Sequence, residues 1–308
     1  MCEIRADQLG IDLFIRVLAP GSQPYEVDRW SNPGSFEKTE VFSHWDAELR
    51  FDIASRNKDA PPGKYRLSIV GCRGANSEDQ KKIALILNAY RYFMVGQQYR
   101  ESDEPAECRK ALEGYRNALT FFKQAGDVLG EVTTVTYIGD TLTNMGENQA
   151  ALAYFEQALP LWRHVKDADG LAETLHNMGT IYYEQGKLAK ALTFYYEALP
   201  LWGAAGDMRG EAATESNIGR FFDSSGEYQK ALLSYRRALP LATMSGDKSW
   251  QAQIQHNSGM VFLALGDPDE AIQEYNAALD LSRQDQDKWA EGHMLHHLGE
   301  ALDRKSVV

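Results

Sequence analysis

The chain is poor in cysteine. Its three, Cys2, Cys72 and Cys108, are odd in number and far apart, which leaves no CxxC pair, no metal-ligand spacing and no disulfide framework. A reduced, cytoplasmic setting is the default that follows. No apolar run approaches the roughly 18–20 residues needed to span a bilayer, so no membrane partner is expected. The first residues, Met1-Cys2-Glu3-Ile4-Arg5-Ala6-Asp7, are broken by charges and do not read as a signal peptide, although a segment upstream of Met1 would change that. A Walker loop, a GxGxxG turn and a Ser/His/Asp triad are all missing, so no enzyme and no cofactor are expected. Positive charge is in short supply as well. Lys and Arg number 32 against 44 Asp and Glu, a net charge of −12. Residues 1–77 hold ten basic and eleven acidic side chains, which leaves 22 and 33 for residues 78–308. The second part therefore carries the acidity. Nucleic acid is excluded, because its phosphates need a basic surface. A basic partner suits this charge, and so does the simple need of a helical array to stay soluble.

What the sequence has in abundance is repetition. In blocks of forty from Val128, Gly139, Gly179, Gly219, Gly259 and Gly299 share one column, and Gly146, Gly186, Gly226 and Gly266 another. Ala151, Ala191, Ala231 and Ala271 form a third, followed by Phe155, Tyr195, Tyr235 and Tyr275, then by Ala158, Ala198, Ala238 and Ala278. The first glycine lies within an amphipathic pattern of i, i+3, i+4 spacing, with Ile138, Met178 and Ile218 before it and Leu142, Tyr182, Phe222 and Phe262 after it. A helical glycine costs about 1 kcal/mol against alanine, so it marks a place where a neighbour comes close. The second glycine reads as a helix C-cap. A second helix follows and ends at Gly206-Asp207 and Gly246-Asp247, with Lys166-Asp167 and Gln286-Asp287 in the same slot. Each unit is a helical hairpin that cannot bury its apolar stripe alone, and stacking neighbours resolves this. Pro160, Pro200 and Pro240 fall inside second helices and are expected to kink them rather than end them.

The spacing of glycine, aromatic, alanine, aromatic and alanine resembles the tetratricopeptide repeat (TPR). The forty-residue period is longer than the usual ~34 and is similar to that of kinesin light chain and bacterial regulatory TPR proteins. The resemblance covers Asn88 to the C-terminus and implies a mainly α fold, a right-handed TPR α-solenoid with a concave groove. The expected organisation is a small β-sandwich domain at 1–73 and a connecting segment with the start of a helix at 74–87. An imperfect repeat with an insertion follows at 88–127, then repeats at 128–167, 168–207, 208–247 and 248–287, and a capping helix or truncated repeat at 288–308. The last hairpin lacks its second helix, which suggests a fragment of a longer protein and a route to self-association through that unfinished repeat.

Residues 1–73 alternate apolar and polar side chains over Ile11–Leu18, Glu48–Ile53 and Lys64–Val70, as half-buried strands do, with Gly, Pro, Asn and Ser between them. An antiparallel β-domain of about four to six strands is expected. Gln8-Leu9-Gly10-Ile11-Asp12-Leu13 and Ala60-Pro61-Pro62-Gly63-Lys64-Tyr65-Arg66-Leu67 are similar to the β-sandwich that precedes long-period repeats in bacterial proteins ending in a caspase-like CHAT domain. That resemblance implies an alternative role, the sensor or regulatory arm of a larger protease. No peptidase segment is present, and no catalytic residue is carried over.

In TPR proteins, ligands are often held by polar residues on the first helix of each repeat. That implication points to Tyr137, Asn177, Asn217 and Asn257, to His176, His256, His296 and His297, and to Asp140, Tyr183 and Arg220. The ladder Asn177, Asn217, Asn257 leads, because an amide offers donor and acceptor together and suits an extended peptide backbone. The competing reading is that these amides tie neighbouring helices together. His293 and His297 stand i, i+4 and could share a metal with Glu300, but His-Met-Leu-His-His lacks the glutamate of HExxH and no metal site is expected. Trp162, Trp202, Trp250 and Trp289 read as packing between repeats rather than an aromatic cage, and Cys108 as an inert core thiol. The function expected is a non-catalytic scaffold binding a peptide or helical segment of a partner protein.

Overall fold

The computed structural model describes six strands between Cys2 and Cys72 and the helical stretch 77–307, apart from positions 101 and 103. The chain divides into two compact units, Met1–Asp169 and Gly170–Val308.

In the first unit, β1 (Cys2–Asp7), β2 (Leu13–Leu18), β3 (Tyr25–Val27), β4 (Phe36–Val41), β5 (Arg50–Ser55) and β6 (Arg66–Cys72) form two three-stranded sheets. Every pairing is antiparallel, with β1 between β4 and β6, and β2 between β3 and β5. The packing that would make the two sheets a sandwich depends on side chains outside the described residues. Helices α1 (Ser77–Gln98), α2 (Pro105–Ala125), α3 (Val128–Asn144) and α4 (Asn148–Val165) follow. Pro105 opens α2 at a position whose N–H would have no helical partner.

The second unit holds all but the first two residues of α5 (Ala168–Glu184), then α6 (Leu188–Ala205), α7 (Met208–Ser224), α8 (Tyr228–Met244), α9 (Lys248–Leu265), α10 (Pro268–Gln284) and α11 (Lys288–Val307). From α6 onward each helix packs on the next, and α7 also touches α9. Pro160, Pro200 and Pro240 lie within α4, α6 and α8, which run on through them.

Residue chemistry at the helix ends explains why the chain folds back on schedule. Gly146, Gly186, Gly226 and Gly266 have φ between 71° and 79°, the left-handed region that glycine enters without a Cβ penalty. At the other end of each hairpin, Gly206 and Gly246 do the same, while Lys166 (φ 62°) and Gln286 (φ 58°) take that conformation with a side chain attached. The next residue is always aspartate, and it caps the helix that follows. Asp127 accepts from the Gly130 amide at 3.0 Å, Asp207 from Arg209 and Gly210 at 2.9 and 3.1 Å, Asp247 from Trp250 at 3.0 Å, and Asp287 from Ala290 at 2.9 Å. Each such cap contributes about 1 kcal/mol by satisfying an orphan amide.

The core is built from the repeating columns. A Cβ added at Gly139, Gly179, Gly219 or Gly259 would come within 2.4–2.7 Å of the ring of Phe155, Tyr195, Tyr235 or Tyr275 respectively. The first glycine and the aromatic sixteen positions later are thus one contact, the flat ring lying on bare backbone of the preceding helix. A second pairing of this kind works across the loop, where a Cβ at Gly130 or Gly210 would meet Phe122 or Trp202 at 2.4 and 2.6 Å. Trp162 and Trp202 are buried and donate their indole N–H to Thr136 and Thr214, at 3.1 and 3.0 Å. Trp289 departs from the packing expected of it. It is 78% exposed and stacks on His293. Cys108 is buried and donates to the Ser102 carbonyl at 3.0 Å. In α11, Gly299 belongs to the same column, yet a Cβ there would meet nothing within 4 Å among the described residues.

Candidate functional site

Because the glycine and aromatic columns make the core, the polar positions of the first helices are left to face outward or toward one another. In the first unit, Tyr137 on α3 stacks on Tyr115 with ring centroids 5.6 Å apart, meets Phe93 edge-on at 5.4 Å, and lies under the guanidinium of Arg100 at 4.5 Å. Asp140 stands one turn further along α3, half-buried.

In the second unit the structure joins four of the expected residues into one network. His176 on α5 meets Thr214 Oγ1 of α7 through Nδ1 at 2.8 Å and the Asn217 amide nitrogen through Nε2 at 3.4 Å. Thr214 also hydrogen-bonds the Gly210 carbonyl at 2.9 Å. With its proton on that carbonyl, Thr214 accepts from a neutral, Nδ1-protonated imidazole whose Nε2 accepts from Asn217. Burial holds the His176 pKa down at about 4, consistent with that neutral ring. Asn217 in turn accepts from Arg220 at 3.3 Å, and Arg220 lies over the Tyr183 ring at 5.2 Å. The Tyr183 hydroxyl donates to the Arg220 carbonyl at 3.4 Å.

The asparagine ladder is therefore not a row of equivalent free amides. Asn217 is buried, 7% exposed, and bridges α5 and α7. Asn177 is half-buried and engaged. Asn257 accepts from His256 Nδ1 at 3.4 Å, while its amide nitrogen is buried with no hydrogen-bond partner among the described residues.

The histidines of α9 and α11 form a separate group. His256 on α9 lies 4.9 Å from His293 and 4.8 Å from His297, ring to ring, and the latter two are 4.8 Å apart on α11. His296 touches His297 at 5.3 Å, and Glu300 approaches His297 Nδ1 at 3.7 Å. Burial and the neighbouring rings push the His256 pKa down to about 4, and the same causes lower that of His297. Glu215, which the repeat columns did not single out, is 7% exposed on α7 and paired to Arg237 of α8 at 3.1 Å. It replaces Val135 and Leu175 of the equivalent position, and burial raises its pKa despite the nearby guanidinium.

No helix among the described residues is long and apolar enough to cross a membrane. No curated protein matches the chain. Aspartyl phosphate phosphatase F from Bacillus subtilis is similar in fold, at 16% identity and a TM-score of 0.63, over 74% of this chain and 61% of that one. A signal-transduction ATPase with numerous domains from Pyrococcus horikoshii, which carries a tetratricopeptide-repeat sensor, matches at 16% identity and a TM-score of 0.55, over 72% of this chain and 37% of its own. The chain thus spans less than two thirds of either structure. A family model for the tetratricopeptide repeat matches residues 131–204, 171–244 and 210–284, the same stretch in which the glycine–aromatic contacts recur, and the chain belongs to the tetratricopeptide-repeat family.

Proposed function

We propose that the chain is a non-catalytic interaction module that takes a peptide or helical segment of a partner protein along the first helices of its repeats. The observation that supports this most is the network His176–Asn217–Arg220–Tyr183, polar side chains already held in place on α5 and α7. Its members contribute little to the apolar core, and an ordered surface of this kind leaves the entropy cost of binding mainly to the ligand. Arg220 and Tyr183 are the half-exposed ends of the network and make first contact. Asn177, half-buried on α5 beside this network, extends the row and bonds the ligand backbone. The acidic excess of residues 78–308 favours a segment that brings basic side chains of its own.

Panning a random-peptide display library on the purified chain tests this, with counter-screening on Tyr183→Ala/Arg220→Ala. Peptides that bind the parent and lose at least about tenfold in affinity on the variant, with helicity unchanged by circular dichroism, support the reading. Peptides that bind both equally place recognition elsewhere on the chain. A sensor-arm role within a larger protein is the second reading. It is favoured by the sensor repeats of the Pyrococcus horikoshii protein and is compatible with the same peptide-binding face.

A further inference from the structure

The three rings of His256, His293 and His297 gather on α9 and α11, whereas the proposed peptide network lies on α5 and α7, and their arrangement is unlike ordinary core packing. His293 and His297 are one turn apart on the same face of α11, and α9 brings His256 against both. One ring nitrogen from each lies within 4.8 Å of the other two. His256 is 6% exposed, and its Nε2 is buried with no hydrogen-bond partner among the described residues. A buried acceptor left bare in this way is uncommon in folded chains. It has a direct explanation when the lone pair is a metal ligand.

The groups behind the rings support that reading. The second nitrogen of a ligating imidazole usually donates to an oxygen that fixes the tautomer and the ring orientation. His256 Nδ1 faces the Asn257 side-chain oxygen at 3.4 Å, and His297 Nδ1 faces Glu300 at 3.7 Å. In both rings this leaves Nε2 as the free donor atom. His293 is oriented by the indole of Trp289, stacked on it with centroids 5.3 Å apart and planes 8° from parallel. The exposure of Trp289 thereby gains a purpose.

We propose that His256, His293 and His297 form a three-nitrogen site for a zinc-class divalent transition metal, which clips α11 to α9. Imidazole suits zinc, copper and nickel, whereas calcium and magnesium take oxygen ligands. At a Zn–N distance of about 2.1 Å, tetrahedral nitrogens stand about 3.4 Å apart, so the ring nitrogens approach one another by up to about 1.4 Å through side-chain rotation. Three protein ligands leave the fourth position to water. The bond is reversible coordination of neutral imidazoles, with no redox or group-transfer step.

The test is zinc titration of the full chain, prepared without a polyhistidine tag, stripped with a chelator and followed by calorimetry. One zinc per chain is expected, with no response to magnesium or calcium. His256→Phe keeps the ring volume and removes the bare nitrogen, so it folds and melts no lower than the parent while its zinc affinity falls at least about 100-fold. Asn257→Ala leaves the ligands in place and weakens binding about 10- to 100-fold. Cobalt substitution adds an independent readout, a visible spectrum of tetrahedral type with nitrogen ligands that His256→Phe abolishes. Absence of stoichiometric binding, or affinity unchanged in His256→Phe, overturns the proposal and reduces the cluster to aromatic packing around Tyr275.

Discussion

At the scale of single residues, one column of glycines makes two opposite predictions. Gly219 lies under the Tyr235 ring, where an added Cβ would come within 2.4 Å. A planar ring held between helices has little room to retreat, so Gly219→Ala is expected to destabilise by about 1–3 kcal/mol, the usual cost of overpacking. Gly299 occupies the same column in α11 but has nothing among the described residues within 4 Å of the added atom. There the intrinsic preference of alanine for the helix prevails, and Gly299→Ala is expected to be neutral or to stabilise by up to about 1 kcal/mol. Thermal melts of the two variants decide between this account and one in which the glycines serve helix flexibility. On that second account both substitutions act in the same direction. The close approach at the glycine was legible in the sequence, because a costly residue kept at a forty-residue interval needs a steric reason. The identity of its neighbour was not legible, since contact across a hairpin is a property of the packed pair.

At the scale of helices and the links between them, what was overlooked lies in the loops. Asp167, Asp207, Asp247 and Asp287 recur every forty residues, but without coordinates they read as the end of one helix rather than the cap of the next. The pairing of a large ring with a glycine eight positions later was missed as well. It is present as Phe122 with Gly130, and as Trp202 with Gly210. In the following repeat the sizes are exchanged, with Ala242 and Trp250 in those slots. Such an exchange conserves the volume between consecutive hairpins, so Trp202 and Gly210 are expected to be energetically coupled. Gly210→Ala alone puts a Cβ within 2.6 Å of the indole and costs about 1–3 kcal/mol. Trp202→Ala alone costs about 3–5 kcal/mol. The double variant is expected to cost at least about 1 kcal/mol less than their sum, because the alanine at 210 meets no ring once the indole is gone. Urea denaturation of all four proteins measures this, and additivity within about 0.5 kcal/mol would refute the coupling. The histidine cluster shows the same limit on reading by sequence alone. His293 and His297 were visible as an i, i+4 pair, while His256 stands a whole hairpin away in sequence and joins them only through the stacking of α11 on α9.

For the whole molecule, acidity and buried histidine act against each other over one pH window, and salt separates them. The chain carries −12 at neutral pH and has a sequence pI near 5.1. Lowering the pH from 7 toward 5 therefore discharges the surface and relieves self-repulsion, which raises stability. His176 acts in the opposite sense. Its folded pKa is held at about 4 by burial, below the ordinary value of about 6.5. Between those values the unfolded chain binds a proton that the folded chain refuses, so its contribution is fully present above about 6.5 and is lost as the pH falls toward 4. Surface repulsion is screened at about 1 M salt, where the Debye length is about 3 Å, but the desolvation of an enclosed imidazole is not. In 1 M sodium chloride the melting temperature is therefore expected to fall as the pH is lowered from about 6.5 to 5, and to fall less in His176→Gln, whose amide can still bond Thr214 and does not titrate. His256 and the rest of the chain titrate alike in both proteins, so the difference between the curves isolates the one ring. Parallel curves would mean that His176 takes up its proton as readily in the folded state as in the unfolded one. The network on α5 and α7 would then be open to water, and the ordered face on which the proposed peptide site depends would lose its physical basis.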